Sequence, residues 1–444
     1  MRRLIAGTLL ALPLAAGAQD LLQVYRDAKT YDAQYAGARY ALQAGLEKLP
    51  QGRALVLPTL NLFSNATTTR VDSYFRNSAT PPLLRDVHSY GYALSFSQPI
   101  YRPQSFATYD QAEFQVKQAE ATFGQASQDL ILRVAQAYFD VLAAEDTLAL
   151  VRAQKIAISE QLAQAKRNFE VGTATITDTH EAQARYDLAA AQEIAGQNDL
   201  ENKRRALQQI TGKEYPAVKP LRGDVKLSPP NPSNMDAWVG LSEKQSYSVL
   251  FQDAGSEIAS LEARKQRAGH LPTLDLVGNY GTTSQTGTAF AGLATASPSS
   301  INTTGTLALQ LALPLYQGGA VSSREREAVA NHEKAKQDLE SARRASALAA
   351  RQSYLAVING IAQVGALEQA LVSSQSALDS NKLGYEVGVR INIDVLNAQQ
   401  QLFSTRRDLA VARYNTITSH LRLKSAAGSL REEDLDEVNR ALQP

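Results

Sequence analysis

From Thr306 to Leu313 the chain alternates without a break: Leu307, Leu309, Leu311 and Leu313 fall on one face, Thr306, Ala308, Gln310 and Ala312 on the other. Period two is the repeat of a β-strand with one apolar face and one polar or small face. Tyr92, Leu94 and Phe96 alternate with Ala93, Ser95 and Ser97 in the same way. Leu60 and Leu62, and again Leu274 and Leu276, begin the partner strands. The polar Ser/Thr/Asn/Gly-rich stretches between partners, 69–86 and 283–303, read as long hairpin loops. Strands of about ten residues joined this way fit a transmembrane barrel. They also fit a soluble sandwich with one wet face. Four strands are too few to close a barrel, since small closed barrels need about eight. An open edge in lipid leaves backbone groups unsatisfied. Membrane strands here therefore require several chains to share one barrel.

A second pattern has helical period. Leu130, Val134, Ala137, Tyr138, Val141 and Leu142 recur at the spacing of one broad helix face. Gln104 to Tyr215 contains no proline over 112 residues, and Leu315 to Gln443 none over 129. Within these runs, 104–171 and 320–387 are 68 residues each, or about 100 Å as continuous helix. Their Ala-rich, coiled-coil-like composition suits close side-by-side packing. Gly172 and Gly388 end these helices, and the runs 173–212 and 391–427 return as second helices.

The two patterns occur twice, in one order. Leu57-Pro58-Thr59-Leu60 recurs as Leu271-Pro272-Thr273-Leu274, and Gln98-Pro99-Ile100-Tyr101 as Leu313-Pro314-Leu315-Tyr316. Phe169-Glu170-Val171-Gly172 recurs as Tyr385-Glu386-Val387-Gly388, and 209–212 as 425–428. Offsets of 214 to 216 that barely drift mark a tandem duplication. The first repeat spans 19–212 (a helix, the strand pair 57–98, two long helices) and the second 234–428 (a helix, the strand pair 271–314, two long helices). Between them, 213–233 holds five of the 16 prolines and reads as a linker. Residues 429–444 form a tail.

Composition then fixes the compartment. Arg2 and Arg3, the apolar run Leu4 to Ala15 and the small-x-small Ala16-Gly17-Ala18 read as a secretory signal over 1–18, too short for a transmembrane helix. With no cysteine, neither disulfides, a lipidated cysteine nor a thiolate metal site is available. Lys and Arg number 45 against 44 Asp and Glu, so the basic excess of a nucleic-acid partner is missing. Beyond the signal no apolar run approaches the ~20 residues of a spanning helix. No Gly-Lys-Ser/Thr phosphate loop or Gly-x-Ser-x-Gly elbow occurs. His88, His180, His270, His332 and His420 lack zinc spacing. An enzyme, a cofactor and a metal are therefore not expected. A soluble periplasmic coiled-coil adaptor or scaffold is the competing reading; it accounts for the helices but gives the strand hairpins no purpose.

Asp20-Leu-Leu-Gln-Val-Tyr-Arg-Asp-Ala28, Leu57-Pro58, Tyr385-Glu-Val-Gly-Val-Arg-Ile-Asn-Ile-Asp-Val-Leu396 and Leu423-Lys-Ser-Ala-Ala-Gly-Ser-Leu430 before Glu433-Asp434-Leu435 resemble the TolC family of outer-membrane efflux and type I secretion channels, over nearly the whole mature chain. The resemblance implies a mainly α, mixed α/β membrane protein: a homotrimer whose four strands per chain complete a barrel in outer-membrane lipid. Its helical hairpins form a periplasmic tunnel, with the linker and tail in an equatorial belt. It further implies a gated tip that opens on an inner-membrane transporter and its periplasmic adaptor and passes an exported substrate, protein or small molecule.

By the same resemblance Asp178 is the acidic gate partner, and Tyr385 and Arg390 are the aromatic and basic ones. Such links are breakable. Asp178 and Asp394 also suit the start of a helix. The family carries two aspartates three residues apart at its constriction, whereas this chain has Asp394 and Asn397, with Asp178 and Glu181 at the matching positions of the first repeat. One acid in place of two implies weaker cation selectivity and weaker divalent-cation block.

Overall fold

The computed structural model describes residues 19–443 except 75, 77–82, 224, 226, 292–293 and 297–298; the signal segment 1–18 lies outside the described residues. The first repeat runs α1 (Leu21–Tyr31), α2 (Ala33–Leu46), α3 (Lys48–Ala54), β1 (Thr59–Ser73), β2 (Leu83–Tyr101), α4 (Pro103–Glu170) and α5 (Ile176–Thr211). The second runs α6 (Met235–Gln245), α7 (Tyr247–Arg267), β3 (Thr273–Ala291), the short β4 (Ala294–Ala296), β5 (Ser299–Ala312), α8 (Ala320–Glu386) and α9 (Asn392–Ala426), before α10 (Glu432–Arg440).

Contacts divide the chain into two compact units. One comprises residues up to Ala41, Ala121–Leu250 and Ser341 onward; the other Leu42–Glu120 and Phe251–Glu340.

The second unit holds the sheet. β1 pairs β2, β2 pairs β3 and β3 pairs β5, all antiparallel. β4 adds three residues at the end of β3. One face carries Leu60 and Leu62, Leu94 and Phe96, Leu274 and Leu276, then Leu307, Leu309 and Leu311, in register: Leu62 faces Leu94, and Leu276 faces Leu309. The apolar side chains on the outer strands are bare, with Leu62 73 % and Leu311 69 % exposed. On the other face Arg102 bonds Asp275 at 2.6 Å. Pro99 sits where the β2–β3 register shifts, a place where a strand tolerates the missing N–H.

The strands run 14 to 19 residues, apart from β4. They therefore extend into what the polar composition suggested was loop. Cross-strand pairs hold these extensions. Arg70 donates two bonds to Asp86 at 3.0 and 3.3 Å, and Thr282 and Thr303 hydroxyls meet at 3.1 Å. Threonine, being β-branched, fits a strand despite its polarity.

The first unit holds the main core. Leu21, Val24 and Tyr25 of α1 pack on Leu130, Val134, Tyr138, Phe139 and Leu142 of α4, with Leu207 of α5, Tyr414 and Leu421 of α9, and Leu435 of α10. The alternation of large apolar residues predicted for α4 is this buried stripe. The chain start, linker and tail meet here: Gln19 bridges Val218, and Leu221 bridges Leu442. The Tyr138 hydroxyl donates to the Gln19 and Lys219 carbonyls at 3.1 and 2.9 Å. Trp238 packs with Val357, Leu423 and Ala427.

The single leading helix expected in each repeat is broken. The breaks fall at Asp32 and Ser246, 214 positions apart, where ψ turns to 117° and 137°. Neither proline nor glycine marks them; a capping side chain does. The Asp32 carboxylate accepts the Tyr35 N–H at 2.7 Å, and the Ser246 hydroxyl accepts from Val249 at 3.4 Å. A second difference is in α8. It contains an 18-residue window apolar enough, by length and composition, to cross a membrane (mean hydropathy 1.4), with only 11 % of it buried. Its Leu, Ile and Val residues over 355–372 are interrupted by Asn359, Gln363, Glu368 and Gln369, so no unbroken apolar run marks it in the sequence.

Candidate functional site at the helix-hairpin tips

Two helical hairpins, α4/α5 and α8/α9, turn at equivalent glycines. Gly172 and Gly388 both have φ of 77°, a left-handed conformation open to glycine without steric cost. The turns then diverge. Thr175 caps α5 and forms a capping box with Asp178: the Asp178 Oδ2 accepts from the Thr175 N–H at 2.9 Å and its hydroxyl at 2.8 Å, while the Asp178 N–H donates to Thr175 Oγ1 at 3.3 Å. The equivalent cap of α9 is Ile391, which has no side-chain bond to offer. Asp394 is thus released from capping, and its carboxylate lies 3.7 Å from Arg390.

Within one chain Tyr385 and Asn397 link the hairpins through partners the gate motif did not name, and, among the described residues, Asp178 and Arg390 do not. Among the described residues Asp178 bonds only inside its own cap and is not brought to Tyr385 or Arg390. The Tyr385 hydroxyl instead accepts from Asn168 Nδ2 of α4 at 3.2 Å. Gln161 of α4 donates to Asn392 Oδ1 of α9, and Asn392 is 1 % exposed with its Nδ2 unpartnered. Arg185 of α5 donates to Asn397 Oδ1 at 2.9 Å and to Gln400 Oε1, both on α9. Small residues bring the helices together: Ile158, Leu162, Ala165, Ala182 and Ala189 pack with Leu396. Glu181 is half-buried one turn before Arg185, and His180 is exposed.

Sequence reasoning missed Asn168, Gln161, Asn392, Arg185 and Gln400. The available signal was polar residues recurring on otherwise alanine-rich helix faces that must pack.

Paired long hairpins joined to an open antiparallel sheet define the channel class of outer-membrane protein. The outer membrane efflux protein family matches residues 21–213 and 241–429, and the chain belongs to this family, the TolC family. It is similar to outer membrane protein TolC of Vibrio cholerae, 35 % identical over 99 % of this chain and 97 % of that one. It is also similar to the proteases secretion protein PrtF of Dickeya chrysanthemi, 30 % identical over 99 % and 95 %. Among solved structures, the outer membrane protein VceC of Vibrio cholerae matches with a TM-score of 0.76 at 19 % identity, covering 92 % of this chain and 96 % of that one. The protein is an outer-membrane channel for exported substrates. Membership of this family sets aside the soluble periplasmic scaffold.

Proposed function

We propose that three copies of this chain assemble into one duct, each giving its four long strands to a shared twelve-stranded barrel. The observation that carries this reading is the open sheet. β1 and β5 each have one unpaired edge, and the apolar face across all four strands is exposed at both outer strands. Edge N–H and C=O groups cannot stay unpaired in lipid, so β1 of one copy pairs with β5 of the next. The helical hairpins then line a periplasmic tunnel. The two stretches matched by the family model support the duplicated domain plan, 19–212 and 234–428. The linker 213–233 and tail 429–444, which pair with each other through Leu221 and Leu442, form the belt.

The hairpin tips are the gate. Asp178, Glu181, Tyr385, Arg390, Asp394 and Asn397 line its constriction. Asp178 is held in its cap, so its gate contacts with Arg390 are made between copies. The gate opens on a periplasmic adaptor and an inner-membrane transporter, and the duct does no chemistry itself. Relatives named for protein secretion and for efflux leave both substrate classes within reach of one passive channel.

The test is outer-membrane fractionation of the intact protein, followed by mass determination and planar-bilayer conductance of the detergent-solubilised sample. A trimer from the outer membrane with small, stable openings is expected. A monomer or a non-conducting soluble oligomer overturns the reading.

A further inference from the structure

We infer that Arg185 sets the charge selectivity of the constriction by placing a fixed positive charge one helical turn from the Asp394 carboxylate. The inference rests on the proposed role of the hairpin tips as the gate.

Asp394, Asn397 and Gln400 follow each other at three-residue steps along α9, and Asn397 and Gln400 are exposed. Arg185 reaches across from α5 and forks onto the Asn397 and Gln400 side-chain carbonyls. Both acceptors are neutral amides. A guanidinium stays charged at any ordinary pH, and two neutral acceptors orient that charge without cancelling it. Among the described residues no carboxylate lies within ion-pair distance of Arg185. Glu181, one turn earlier on α5, forms no ion pair with it.

Three residues of helix rise about 4.5 Å, well inside the ~8 Å screening length of physiological salt. The fields of Asp394 and of the Arg185 charge held beside Asn397 therefore overlap in the pore. Arg390, 3.7 Å from Asp394 on the other side, adds to the same compensation. The constriction is then a banded ring, acidic at Asp394 and basic at the Asn397–Gln400 step, which admits carboxylate-bearing substrates that an all-acidic ring repels.

This changes what Asn397 means. An aspartate at 397 would receive a charge-assisted bond from Arg185 and cancel the basic band there, a change of one charge per chain. Restoring the acid alone therefore removes the basic band but does not give a ring of two uncompensated acids; for that, Arg185 must change as well.

The experiment is the cation-to-anion permeability ratio in a planar bilayer under a potassium chloride gradient. Asn397→Asp, which pairs the Arg185 charge, is expected to raise the ratio about as far as removal of that charge does. Arg185→Gln, which keeps hydrogen-bonding capacity but drops the charge, should raise the ratio by about fivefold, the scale of one unit charge acting at ~4 Å in water. Arg185→Gln with Asn397→Asp, a change of two charges per chain, should reach about the product of the two single changes. Arg185→Lys keeps the charge and should keep the wild-type ratio. Asn397→Asp shifting the ratio as far as the double variant overturns the inference, as does Arg185→Lys behaving like Arg185→Gln. If Arg185→Gln fails to assemble, Arg185→Met, which keeps the unbranched stem and drops the charge, takes its place in both comparisons. A wild-type protein that conducts nothing refutes the channel reading itself, a result distinct from any of these.

Discussion

The Arg133 guanidinium grips the Asp32 carboxylate with two bonds, Nη1 to Oδ2 at 2.9 Å and Nη2 to Oδ1 at 3.0 Å. Asp32 is 6 % exposed. It ends α1, caps α2 through the Tyr35 N–H, and is tied by Arg133 to the middle of α4. One buried carboxylate therefore fixes the corner of the leading helices against the main core. Arg133→Ala strands that charge, which costs about 3–5 kcal/mol when a buried pair loses one partner. The Arg133 bonds lead the causes that hold the Asp32 carboxyl below the usual carboxylate range, against the opposing effect of its burial. A depressed carboxyl stabilises the fold above its ordinary pKa, and the stabilisation fades as pH falls through the lower folded value. Thermal unfolding of wild type and Arg133→Ala should differ most at neutral pH, with the gap narrowing in acid.

His420 supplies an opposite chemistry at a second corner. It lines a cavity of about 150 Å³ with Val225 and Leu227 of the linker, Val357 of α8, and Asp434 and Glu437 of α10. Burial and the Lys424 charge lower its pKa, against smaller opposing effects of Glu437 and Asp434. Lys424 is itself bound to Asp434 at 2.8 Å and Glu437 at 3.3 Å, and these acids keep it charged despite burial. The unfolded chain thus binds a proton that the folded chain resists. Stability is full above about 6.5, the ordinary histidine value, and declines as pH falls below it. His420→Gln should flatten that decline between pH 7.5 and 5.5 in thermal unfolding. An unchanged slope would assign the acid sensitivity to other groups.

Periodicity made most of the architecture legible. Proline-free runs predicted 104–171 and 320–387 as helices, and these form as Pro103–Glu170 and Ala320–Glu386. The period-two pattern at 306–313 lies inside β5. What escaped depended on single side chains meeting distant partners. The Asp32 break carries no proline or glycine, because its signal is a cap completed by Arg133, 101 residues away. The strand extensions looked like loop because Arg70–Asp86 and Thr282–Thr303 are stabilising only once paired. At the tips, the family resemblance singled out Tyr385 and Arg390 as gate candidates, but Thr175 opposite Ile391 decided which aspartate would be consumed by capping.

The sheet's orientation is open to direct test. Leu309 and Gln310 are neighbours on β5 and point to opposite faces, with Leu309 facing Leu276 and Gln310 facing Asp275 across the strand pair. Leu309→Arg sets a charge on the apolar face; if that face meets lipid, the cost is up to about 2–4 kcal/mol near the bilayer midplane. Gln310→Arg, on the opposite face, should be tolerated. Oligomer yield from outer-membrane fractions reads the difference. Equal losses for both would mean that the apolar face does not meet lipid.

The proposed gate gives the last prediction. Tyr385 is half-buried and its hydroxyl holds Asn168 at 3.2 Å, so the end of α8 is fastened to the end of α4. Arg390 is exposed, with Asp394 at 3.7 Å as its ion-pair partner in the chain. Tyr385→Phe removes one link and Arg390→Ser the other, and neither residue belongs to the main core. A hydrogen bond contributes about 1 kcal/mol, so each loss should move the closed–open balance by roughly fivefold per chain. The double variant should assemble normally and conduct more than wild type. Asn168→Ala should reproduce only the Tyr385 share of that gain, because it leaves Arg390 in place. Unchanged conductance in a normally assembled double variant would make these contacts structural ties and move the gate elsewhere along the hairpins.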